Sequence, residues 1–182
     1  MNRLRTGATV VLTILAAGCA SVPLSTMWRM RSFSPDDLRS LHPAELRAFV
    51  RTLSPVTVQA DAGTIDVSVS PRSGEPLLGH FALQAVPAEG VPGLPAPGSG
   101  RRWIALGLTP EARTAFARFA GSLDESSLEG SSVSLDVSVK LGKLPPELDA
   151  VPFEVRLQLD GSERPFVLIK ERTLRLSRDQ DR

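Results

Sequence analysis

From Val133 to Leu141 the chain alternates apolar and polar residues without a break: Val133, Leu135, Val137, Val139 and Leu141 interleave with Ser134, Asp136, Ser138 and Lys140. Successive side chains of an extended strand point to opposite faces, so this order specifies one buried face and one wet face. Thr64 to Ser70 repeats the pattern, with Ile65, Val67 and Val69 set against Thr64, Asp66, Ser68 and Ser70. Phe153, Val155, Leu157 and Leu159 carry it further, and Asp160-Gly161-Ser162-Glu163 then turns the chain into Phe166 to Lys170, a hairpin signal. Leu46 to Leu53, Leu78 to Val86, Trp103 to Leu108 and Thr173 to Leu176 are further strand candidates with weaker alternation.

One helix interrupts the strands. Thr109 is a suitable N-cap, Pro110 suits the first helical position, and Gly121 closes the end. Ala112, Ala115, Phe116, Phe119 and Ala120 fall on one side of it, opposite Arg113, Thr114, Ala117 and Arg118. The apolar side is expected to pack on a sheet. The fold class that follows is mainly β: an antiparallel β-sandwich with one packed amphipathic helix. The alternative is an α+β arrangement in which the helix covers a single curved sheet.

The N-terminus is of another kind. Arg3 and Arg5 precede ten apolar or small residues, Ala8 to Ala17, a run too short to span a hydrocarbon core that needs about 20 helical residues. This reads as a secretory signal over residues 1–18. The run Leu15-Ala16-Ala17-Gly18-Cys19 holds the chain's single cysteine and resembles the lipobox of bacterial lipoproteins, with Ala16 where leucine is usual. The resemblance implies cleavage before Cys19, diacylglycerol on its sulfur and a third acyl chain on its amino group. Each buried methylene of such chains contributes about 0.8 kcal/mol, and two or three chains hold a protein at a membrane. Residue 20 is alanine rather than aspartate, which resembles the pattern of enterobacterial lipoproteins released to the outer membrane, facing the periplasm, rather than retained in the inner one. The alternative is an ordinary signal peptide, cut at an Ala-x-Ala-like site, that leaves Cys19 as an unpaired thiol.

Residues 19–34 are expected to form the lipidated N-terminus and a tether, and 35–182 a single β-rich globular domain. Val22, Leu24, Met27, Trp28, Met30 and Phe33 make the tether apolar enough to dock on the body as a first strand, or to rest in the headgroup region. Its Pro23-Leu24-Ser25-Thr26-Met27-Trp28 start, with His42-Pro43-Ala44-Glu45-Leu46-Arg47 further on, resembles a group of uncharacterised proteobacterial lipoproteins. That resemblance implies no particular activity. Residues 87–100, rich in proline and glycine, are expected to form a long exposed loop, either a mobile insertion or a binding element.

Chemistry is sparse. Without Arg3 and Arg5 the balance is 19 basic against 20 acidic side chains, which gives no electrostatic case for nucleic acid. No Gly-x-Ser-x-Gly elbow occurs, and the two histidines, His42 and His80, are expected to be structural. With no second cysteine, neither a transition-metal site nor a cofactor is expected. Asp124, Glu125 and Glu129 lack the glycine-punctuated loop of a calcium site. The expectation is therefore a non-enzymatic, lipid-anchored cell-envelope protein that binds another protein or serves a membrane assembly. Its alternative is a carrier of a lipid or small apolar ligand in a cavity between sheet and helix, and a hydrolase of unrecognised type is a third reading.

Overall fold

The computed structural model describes residues 11–12, 23, 26, 30–88, 90–123, 130–142, 144–145 and 147–175. The order of elements is β1 (Val11–Leu12), α1 (Pro35–Ser40), β2 (Arg47–Leu53), β3 (Val58–Ser70), β4 (Leu77–Val86), β5 (Arg101–Leu108), α2 (Pro110–Gly121), β6 (Ser132–Leu141), β7 (Ala150–Gln158) and β8 (Phe166–Arg175). The protein is mainly β, and every neighbouring strand pair is antiparallel. The strands lie in one sheet, ordered β1-β6-β3-β4-β5-β2-β7-β8. The two stacked sheets of a sandwich are replaced by a single open sheet with a packed helix. Alternation specifies a buried face but not the layer that buries it, which is why both arrangements fit the sequence.

The long alternating runs behave as their period requires. Val133, Leu135, Val137 and Val139 of β6 lie beside Val69, Val67, Ile65 and Gly63 of β3, and the apolar members of these rows are buried. Phe81 and Leu83 of β4 extend the same face. The β3 strand begins earlier than Thr64 because its register shifts between Val58 and Gly63. Gly63 takes φ 146° there, and a Cβ on it would overlap the Ser138 carbonyl oxygen, so only glycine lets the two backbones meet.

The helix α2 starts as expected. The Thr109 hydroxyl accepts a bond from the Ala112 N–H at 3.1 Å, and Pro110 opens the first turn. Its Phe116 and Phe119 rings meet Phe81 edge-on at centroid distances of 5.1 and 5.7 Å. Gly79 makes room for them, since a Cβ there would lie 2.6 Å from the Phe81 ring and 3.4 Å from Phe119. Ala112, Phe116 and Ala120 are buried, whereas Ala115, expected on the packed side, is exposed. Burying Phe116 alone is worth about 1.5–3 kcal/mol.

Ahead of the sheet, Ser34 and Asp37 form a reciprocal capping box that starts α1, and Leu38 is buried beneath it. Phe33 joins the core, Met30 packs against it, and the Thr26 hydroxyl donates to the Val167 carbonyl on β8. The described residues Thr26, Met30 and Phe33 thus dock on the body, but Thr26, Met30 and Arg31 are helical rather than extended.

Candidate functional site

Three groups of polar side chains stand out. The first lies on the face of β5, β2 and β7 away from the core. Arg51 sits opposite Trp103 on one side and Glu154 on the other. Arg51 pairs with Glu154 and, at 2.7 Å, with Glu171; Arg101 reaches Glu171 at 2.6 Å, and Arg156 reaches Glu154 at 2.7 Å. The Arg51 and Arg156 guanidinium groups both lie 5.6 Å from the centre of the Trp103 ring. The bond from Arg101 holds the Glu171 carboxyl below its ordinary range, and the same bond raises Arg101.

The loop over residues 87–100 closes on this group. The Trp103 Nε1–H donates to the Pro95 carbonyl at 2.7 Å, and a Cβ on Gly93 would lie 2.6 Å from Arg164 Cγ. Val91, Leu94 and Pro97 are half-buried. The segment is exposed along most of its length, as expected, and it touches the sheet as a strap, with glycines at positive φ giving it its turns. Each carboxylate of the Trp103 group has arginine partners, although the buried Arg51 Nε has no hydrogen-bond partner among the described residues, and the Trp103–Pro95 bond ties the group to the strap.

The second group lies on the wet face of β3, β4 and β6. Asp66 has His80 beside it on one side and Asp136 on the other, and the His80 Nδ1 and Asp66 carboxylate are in contact. The next row holds Leu78, Ser68 and Ser134. Among the described residues Leu77 and Leu78 are the exposed large hydrophobics, at 43% and 75% exposure. A cleft of about 370 Å³ runs between Leu78, His80, Asp66 and Asp136.

The third group joins two turns. The Glu45 N–H donates to the His42 carbonyl at 2.9 Å, closing a turn with Pro43 at its second position. The Glu163 N–H donates to the Asp160 carbonyl at 3.1 Å, closing the β7–β8 turn, and the Gly161 N–H donates to Glu45 Oε2 at 3.0 Å. His42, Glu45 and Asp160 each present a ligand-type atom within 4.8 Å of the others. The Ser162 hydroxyl and N–H hold the Asp160 carboxyl below its ordinary range, with the His42 charge adding to the effect. A second cleft of about 370 Å³ opens beside it, lined in part by Asp37, Asp160 and Glu163.

His80 stands on the polar side of its strand and His42 at a turn, as the sequence predicts, and the two keep separate partners. Sequence reasoning missed the link from His42 to Asp160 because it spans two turns far apart in the chain; the hairpin signal at Asp160 was its only trace. It also missed the Trp103 group, whose members sit on four different strands. Cys19, Asp124, Glu125 and Glu129 lie outside the described residues. No protein family, curated protein or solved structure matches the chain.

Proposed function

We propose that this is a non-enzymatic protein of the bacterial cell envelope, anchored through lipidated Cys19 in the outer membrane and facing the periplasm, that docks another envelope protein on the wet face of its sheet. The observation that carries the docking part is Leu78, 75% exposed on β4 beside a cleft and rimmed by Asp66, His80, Asp136 and serines. An apolar knob in a polar rim is how protein interfaces are built, and the two aspartates favour a partner with a basic side chain. The anchor rests on the resemblance of residues 15–19 to a lipobox. The carrier alternative has less support, because the Phe81, Phe116 and Phe119 rings fill the helix–sheet interface where a ligand would lie.

Two measurements test the reading. Intact mass of the membrane-fraction protein, beside Cys19→Ala, should show cleavage before residue 19 plus acyl chains in the first and an unprocessed chain in the second. A photo-crosslinking residue at position 78 should give a discrete protein adduct in membranes, while the same residue in place of exposed Arg172 gives none. Equal adducts at both positions, or none at either, would refute docking at Leu78.

A further inference from the structure

We infer that His42, Glu45 and Asp160 form a binding site for a first-row divalent cation. The site is separate from the docking face and does not depend on it. Its geometry comes from two turns. Pro43 fixes the first, which places His42 and Glu45, three residues apart, on one side of the chain. The Asp160–Glu163 turn brings the third group, and the Gly161 N–H to Glu45 Oε2 bond of 3.0 Å holds one turn against the other.

Charge argues for a cation between them. Two carboxylates face each other here, and no lysine or arginine among the described residues pairs with either, although arginine-rich ion pairs fill the Trp103 group. Like charges at this separation repel, and a cation between them would offset that repulsion. Ligand atoms within 4.8 Å of one another are near the spacing a cation sets: with bonds of about 2.1 Å, ligands lie roughly 3–4 Å apart.

Donor chemistry narrows the ion. One imidazole nitrogen and two carboxylate oxygens suit zinc or manganese, whereas calcium takes six to eight oxygens. Each carboxylate already has a partner that orients it, Gly161 for Glu45 and Ser162 for Asp160, as metal ligands commonly do. The three residues leave coordination positions for water or a further ligand. A bound ion would staple the α1–β2 turn to the β7–β8 turn.

The test is zinc chloride titrated calorimetrically into tag-free, chelator-treated full-length protein in detergent, with melting temperature read in parallel. One zinc per chain is expected, with a higher melting temperature when bound. His42→Ala and Asp160→Asn should each weaken binding at least tenfold and abolish the melting shift, with far-UV circular dichroism unchanged; His80→Ala should bind as the parent does. Absence of stoichiometric uptake up to millimolar zinc overturns the site. So does binding that survives both His42→Ala and Asp160→Asn, or that is lost in His80→Ala. Crosslinking at position 78 is independent of each of these outcomes.

Discussion

Replacing Phe116 by alanine removes a ring that is 0% exposed and sits edge-on against Phe81 at 5.1 Å. Phenylalanine-to-alanine changes in cores cost about 3–5 kcal/mol, partly through the cavity left behind. The neighbours of Phe116 on the buried side of α2 are Ala112 and Ala120, too small to fill the hole, and the aromatic contact itself is worth about 0.5–1.5 kcal/mol. We therefore expect a loss near the middle of that range, about 4 kcal/mol, a large part of the 5–15 kcal/mol typical of a domain. Urea unfolding followed by circular dichroism measures it, with Ala117→Ser on the exposed side as a control that should stay within about 0.5 kcal/mol. A loss under about 1 kcal/mol at unchanged denaturant slope would show that α2 does not pack on β4 through this ring. The space between α2 and β4 would then be open to a ligand.

Three further outcomes are expected. Gly63→Ala meets both an unfavourable backbone angle and the Ser138 carbonyl, so calorimetry should show a loss of about 2–5 kcal/mol, and a melting temperature equal to the parent's would refute the close approach. Trp103→Phe keeps the ring but removes the bond to Pro95; limited proteolysis should then cut within residues 87–100 faster, and an unchanged cleavage rate would mean that the strap is not held there. Glu171 titrates below its ordinary value of 4.5 in the folded protein, so its pairing with Arg101 contributes stability that is fully present above that pH and is lost as pH falls through the lower, folded value. Acid titration of Glu171→Gln should accordingly show a shallower decline below about pH 4.5 than the parent; identical profiles would dismiss the pairing.

Strand placement was legible because period two is a direct statement about faces. Val133 to Leu141 and Thr64 to Ser70 fall inside β6 and β3, and Thr109-Pro110 opens α2. Topology was not legible in the same way. Nothing local in Ala48, Phe49 and Val50 tells that β2 runs between β5 and β7, because that pairing is settled by which faces and edges remain once the hairpins have formed. Residues 87–100 are the irregular, largely exposed segment that their composition predicts, but proline and glycine say nothing about a carbonyl such as that of Pro95 meeting an indole on β5. The same holds for His42, whose turn could be read from Pro43 while its neighbour Asp160 could not.

The interior place of β2, between β5 and β7, bears on how the chain reaches its folded state. It is the first long strand to emerge from an N-terminal start, yet Val50 needs Ile104 on one side and Val155 on the other. Until those strands exist, Ala48, Phe49 and Val50, all buried in the finished sheet, remain uncovered. Non-local pairing of this kind slows folding and leaves apolar segments vulnerable to aggregation while they wait. The β3-β4-β5 part of the sheet can pair without β7, but one edge of β2 stays open until Ala150–Gln158 arrives, so the finished sheet depends on nearly the last stretch of the chain.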